Sequence, residues 1–154
     1  MDQSRLLTSS PRTVVALCIL LLTICFSHIH QGNLAIDGIR YAAMSQEVLA
    51  SGNLFHIVDD YTGTEYANKS PALFWFVALS YRLFGVHTFS SKFPGACFAF
   101  LALFLLYRLA SQIFGSRSGY FSVLLFAGNV IFFRAVVDLN YEAMILVGVL
   151  LLAK

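Results

Sequence analysis

From Thr13 to Ser27 the chain reads TVVALCILLLTICFS without a charge, and apolar stretches recur at 71–86, 93–110, 119–135 and 143–153. Out of water, such stretches satisfy their backbone N–H and C=O groups only as helices. So many of them in so short a chain leave too little polar surface to coat a soluble core. Composition agrees, with 58% of residues hydrophobic, 12% charged and a mean hydropathy of +0.76, so the chain reads as an all-α membrane protein. The net charge of +2 is small and scattered, which argues against nucleic-acid binding and against a polybasic membrane patch. Cys18, Cys25 and Cys97 lie within apolar stretches without CxxC spacing and read as packing or lipid-facing residues.

Arg5 and Arg12 precede the first stretch, and the bulky His28-Ile29-His30-Gln31 after it offers no small-x-small cleavage site. We therefore expect an uncleaved transmembrane helix over 13–29, with residues 1–12 in the cytoplasm. The next basic cluster, Arg108 to Arg117, is also expected inside, so an odd number of crossings separates it from residue 30. The stretch 71–86 is short, opens at Pro71 and carries Arg82; it is predicted to be an interfacial or membrane helix at the outer surface. That leaves 93–110 as the next full span, and 119–135 as the return that brings Asp138 to the same side as Asp37. Residues 138–154 start a further helix that runs to Lys154 with no closing loop, which reads as a truncated chain.

Residues 30–70 form the polar island, with Asp37, Arg40, Glu47, Asp59, Asp60, Glu65 and Lys69. Apolar positions Ile39, Ala42, Ala43, Leu49 and Ala50 predict a juxtamembrane helix over 38–50, stopped at Ser51-Gly52. The following NLFHIVDDYTGTEYANKSP predicts an irregular loop or small hairpin with turns at Asp59-Asp60 and Thr62-Gly63.

Asp37 stands where an N-cap is expected; a carboxylate there accepts backbone N–H bonds, which suits a plain cap, a general base or a metal ligand. Arg40, one turn on, suits a salt bridge to Asp37 or a bidentate grip on phosphate. Lys69, just before the apolar stretch at Pro71, either snorkels to lipid phosphates or holds the phosphate of a lipid-linked donor. Asp138, in RAVVDLNYEAM, is an acidic residue at a membrane boundary, where an unpartnered carboxylate is costly. His28, His30, His56 and His87 have no metal-ligand spacing. Phe74, Trp75, Phe76 and Tyr81 read as an interfacial belt or packing surface.

Together, an Asp-x-x-Arg-Tyr-Ala string (Asp37, Arg40, Tyr41), a Tyr-x-x-Lys-x-Pro string (Tyr66, Lys69, Pro71), a Leu-Phe-Gly end to the next stretch and Asp138 after two further apolar segments carry a family likeness. Over roughly residues 10 to 154 the chain resembles the N-terminal part of the protein O-mannosyltransferase and aminoarabinose (lipid A) transferase superfamily, of the GT-C glycosyltransferase fold. The resemblance implies a polytopic helical bundle of GT-C type with a helical outer loop. It implies Asp37 as the catalytic carboxylate, activating the acceptor or binding a metal, with Asp138 as a second acidic residue. Arg40, Tyr41 and Lys69 would contact the donor phosphate. Family members usually carry further acidic residues where this chain has Gly38 and Asn68, which weakens the case for a divalent metal; no metal ligand is assigned.

The expected function is transfer of a sugar from a polyprenyl-phosphate carrier to a lipid, glycan or protein acceptor, at the outer face of a bacterial inner membrane, with membrane lipids as surroundings. The portion at hand is expected to be inactive alone. The alternative is a non-catalytic polytopic membrane protein, such as a transporter fragment or an assembly subunit.

Overall fold

The computed structural model describes residues 11–27, 29, 34–59, 62–66, 70–129, 132 and 142–153. Among these it forms α1 (Pro11–Phe26), α2 (Ile36–Ser51), a hairpin of β1 (Val58–Asp59) and β2 (Thr64–Glu65), α3 (Ala72–Phe84), α4 (Thr88–Phe114), α5 (Ser116–Ala127) and α6 (Glu142–Leu152). The helices fall around two apolar cores.

The first core gathers around α4. Leu17, Leu21 and Cys25, spaced four apart on α1, are buried with Ala96, Ala99 and Leu103 of α4, Val123 and Ala127 of α5 and Ala143 of α6. The buried face of α4 is mostly small: Gly95, Ala96, Ala99, Ala102 and Ala110, with Leu103 and Tyr107. Large apolar residues point outward instead, among them Ile19, Leu22, Leu101, Phe121, Leu125, Ile145 and Val149. Small inside and large outside is the packing of helices surrounded by lipid, where close backbone approach supplies the attraction that water supplies elsewhere. Thr88–Phe114 is the one described helix long and apolar enough to cross a membrane, while Ala72–Phe84 and Glu142–Leu152 are shorter apolar helices.

Helix α4 starts before the apolar run that predicts it. The expectation was a span over 93–110, but the helix begins at Thr88 because His87 caps it. The His87 ring accepts from the Ser90 N–H at 3.3 Å, and the Ser90 hydroxyl accepts from the His87 N–H at 3.2 Å. This reciprocal pair satisfies N–H groups that the first turn leaves free. Pro94 therefore lies inside the helix and not at its start, and Lys92, early in the same helix, is 1% exposed. Helix α5, Ser116–Ala127, likewise begins before the expected 119; residues 130, 131 and 133–135 of that expected span lie outside the described residues.

Gly119 sets how closely α5 approaches α4. A Cβ there would lie 2.0 Å from the Ser111 hydroxyl and 3.0 Å from the Tyr107 carbonyl oxygen, and the latter, being backbone, cannot rotate away. Gly119→Leu is expected to lower stability by about 1–3 kcal/mol or more through this overpacking. Denaturant titration in detergent measures it, and an unchanged midpoint would refute the close approach.

The second core joins α2 to α3 and the hairpin. Tyr41, Ala42, Met44 and Val48 pack on Leu73, Phe74, Val77, Ala78 and Tyr81, with Ile57 closing the edge. Helix α2 ends at Gly52, whose φ of 69° is open to glycine, and its N–H returns to the Val48 carbonyl. Among the contacts that link this unit to α4 are Phe76 against Phe98 at 4.9 Å, Phe84 against Phe93 at 5.0 Å, and a buried 2.8 Å hydrogen bond between Tyr81 and Ser91.

Candidate active site on the polar loop

Helix α2 carries three of the residues predicted to do chemistry. Asp37 is exposed, but it is not the cap that the sequence suggested. The N-cap is Ala35, which has no side-chain hydrogen bond to the helix, and Asp37 lies inside the first turn. The helix starts before the expected residue 38 because Ile39 N–H already bonds to the Ala35 carbonyl at 2.9 Å. One turn on, Arg40 pairs not with Asp37 but with Asp59 on β1, Nη2 donating to Oδ2. That bond pushes the Arg40 guanidinium further above its ordinary value; burial, the next largest effect, opposes it, and the charges of Asp59, Tyr66 and Asp37 add to the rise. The guanidinium stands 5.9 Å from the centre of the Tyr66 ring, a distance at which the ring face attracts a cation.

Tyr41 is 4% exposed and turns its ring inward from α2. Its ring meets Phe74 edge-on at 6.0 Å and Tyr66 at 6.4 Å. Tyr41, Tyr66 and Phe74 thus form an aromatic cluster, of which the Tyr66 ring lies beneath Arg40. Lys69 and Asp138, and the turn residue Asp60, lie outside the described residues.

The hairpin that brings Asp59 to Arg40 is held at several points. The Asp59 carbonyl accepts from Thr62 N–H at 3.1 Å and Gly63 N–H at 2.7 Å, and Gly63 takes φ of 64°, which a side chain would resist. Val58 pairs with Glu65 and Asp59 with Thr64. The Tyr66 N–H reaches the Ile57 carbonyl at 2.7 Å, which fixes the start of the Tyr-x-x-Lys string beside the strand. Trp75 Nε1–H donates to the Leu54 carbonyl at 2.6 Å, tying the loop to α3. The aromatic stripe expected on α3 is thus divided: Phe74 and Tyr81 are core, Phe76 is exposed, and Trp75 is a fastening.

Two participants escaped the sequence reading, Asp59 as the partner of Arg40 and Tyr66 as the ring beneath it. A signal for Asp59 was present, since in a strand Ile57 and Asp59 share a face, and a carboxylate on the face that buries Ile57 needs a cation. Among the described residues no three His, Cys, Asp or Glu side chains gather as a metal-binding group.

This arrangement sets a carboxylate and a fixed guanidinium one helical turn apart beside apolar helices. Known proteins resemble the chain that carries it. Residues 68–153 match the family described as dolichyl-phosphate-mannose-protein mannosyltransferase. An undecaprenyl phosphate-alpha-4-amino-4-deoxy-L-arabinose arabinosyl transferase of Pseudomonas savastanoi pv. phaseolicola is 38% identical over 91 residues, covering 58% of this chain and 17% of that protein. The corresponding transferase of Aeromonas hydrophila is 32% identical over 81 residues, 53% of this chain and 14% of that protein. The chain therefore spans under a fifth of the length of these curated relatives. The crystal structure of ArnT from Cupriavidus metallidurans bound to undecaprenyl phosphate superposes with a TM-score of 0.74 and 24% identity, over 87% of this chain and 25% of that one. None of these three is a transporter or an assembly subunit. The fold is that of a helical integral membrane protein of the GT-C type, and the chain belongs to the dolichyl-phosphate-mannose-protein mannosyltransferase family.

Proposed function

We propose that the whole protein is a glycosyltransferase of the bacterial inner membrane that moves a sugar from a polyprenyl-phosphate carrier to a lipid, glycan or protein acceptor. The observation that carries this reading is the juxtaposition on α2 of exposed Asp37 with Arg40 over Tyr66, at the start of the Tyr-x-x-Lys string. The relatives described above, an undecaprenyl phosphate-aminoarabinose transferase and a structure bound to undecaprenyl phosphate, support the donor class. In the reaction the acceptor oxygen attacks the anomeric carbon, and Asp37 takes its proton. The bond from that carbon to the phosphate oxygen breaks, and the polyprenyl phosphate leaves with the electron pair. A phosphate is a good leaving group, so the need is for positive charge on the departing oxygens rather than for a strong acid. Arg40 and Lys69 supply it, with Tyr41 and Asp138 as further members of the site.

The topology this requires puts residues 30–70 on the outer side, with residues 1–12 inside. It also makes Lys69→Ala informative. With the protein expressed at its natural length, that change is expected to lower transfer from an undecaprenyl-phosphate-linked sugar by about 100-fold, the scale of losing one group aimed at developing charge. Equal expression with wild-type transfer would sink the assignment.

A further inference from the structure

Asp59 is 3% exposed, while the Arg40 side chain that it holds is one-third exposed. A carboxylate this deep is stable only with a cation beside it. The loop is built around that requirement. The Asp59 carbonyl closes the turn through Thr62 and Gly63, and its Oδ2 accepts from the Thr62 hydroxyl at 3.3 Å as well as from Arg40. Thr62 in turn shares a 2.8 Å hydrogen bond with Thr64 across the hairpin. Asp59 is therefore itself held from two sides before it meets Arg40.

The guanidinium is fixed on one edge by Asp59 and lies over the Tyr66 ring. Its Nε–H is buried and meets no acceptor among the described residues. A buried N–H without an acceptor is costly unless something arrives to accept from it. Asp59 thus orders Arg40 while leaving a donor to spare.

We propose that Asp59 is a positioning residue, which holds Arg40 over Tyr66 so that the donor phosphate meets a cation already oriented. This rests on the donor-phosphate reading of Arg40. A nearby anion also weakens the field that Arg40 projects, so positioning and charge competition make opposite predictions. Holding a charged fork in place before the ligand arrives favours binding, whereas a competing anion opposes it.

The test measures binding of radiolabelled undecaprenyl phosphate to the natural-length protein in detergent, reading the Kd and the bound stoichiometry separately. Asp59→Ala is expected to raise the Kd by about 10-fold at unchanged stoichiometry. In an Arg40→Ala background, where there is nothing left to position, Asp59→Ala is expected to change the Kd no further. Asp59→Asn, which keeps the shape and a weaker acceptor, is expected to fall between, at about 3-fold. It also serves if the alanine variant does not fold. A lowered Kd makes Asp59 a competing anion and overturns the proposal. So does a loss of stoichiometry at unchanged Kd, which makes Asp59 structural, or an undiminished effect without Arg40. If Arg40→Ala itself leaves the Kd unchanged, the donor-phosphate reading fails and this inference with it. If Arg40→Ala raises the Kd and neither Asp59 variant does, the inference alone fails.

Discussion

Asp37→Asn is expected to lower kcat for sugar transfer by roughly 10²- to 10⁴-fold, the range of a lost general base, while leaving the Kd for undecaprenyl phosphate within about 2-fold. The split follows from the position of the side chain. Asp37 is on the exposed side of the first turn of α2, and the donor phosphate is assigned to Arg40 one turn away. Asparagine keeps the size but cannot take the acceptor proton. The correction at the helix start sharpens this test. If Asp37 were the cap, its loss would fray α2 and disturb Arg40 and Tyr41 with it, and a dead variant would say little about chemistry. Ala35 occupies the cap position instead, so what Asp37→Asn removes structurally is one acidic charge in the first turn, worth under about 1 kcal/mol. Thermal stability within a few degrees of wild type, together with the kcat loss, makes Asp37 chemical. Full activity would return it to the role of a helix-dipole charge.

The contrast between what the sequence told and what it hid has a physical basis. The membrane class was legible because hydropathy is a property of local composition, and each apolar stretch declares itself without knowledge of its neighbours. The loop helix was legible for a similar reason, since apolar spacing and the Ser51-Gly52 stop are both local. Helix starts were not. The α4 start depends on a histidine ring acting as a cap, a role seldom given to His, and the α2 start depends on a backbone bond to Ala35 with no side-chain mark. The partner of Arg40 was hidden because Asp59 is 19 residues away and reaches it only after the hairpin closes. A salt bridge to Asp37, the neighbour one turn back, was the local guess, and the tertiary contact with a buried carboxylate prevails because that carboxylate is the group that cannot be left alone. Tyr41 shows the same limit. Its motif placed it beside the phosphate, while the burial of its ring against Phe74 gives it a packing duty that no motif records.

Arg40→Lys is the second change expected to have a large effect, because it keeps the charge and removes the shape. The guanidinium meets Asp59 on one edge, lies over the Tyr66 ring and still keeps Nε–H for a further acceptor. An ammonium is a compact point charge on a flexible stem, and it cannot hold Asp59 at one edge while presenting a second, fixed donor to a phosphate. The buried Asp59 has the prior claim on it, since an exposed phosphate can be satisfied by water and a desolvated carboxylate cannot. The lysine is therefore expected to turn to Asp59 and leave the donor. The Kd for undecaprenyl phosphate should rise by about 10- to 100-fold while the protein keeps its stability. Adding Asp59→Asn to this variant should release the ammonium and recover part of the affinity, the opposite sign to its effect beside arginine. A Kd for Arg40→Lys within about 2-fold of wild type would show that charge alone suffices at this position, and that the fork held between Asp59 and Tyr66 has no part in binding the donor.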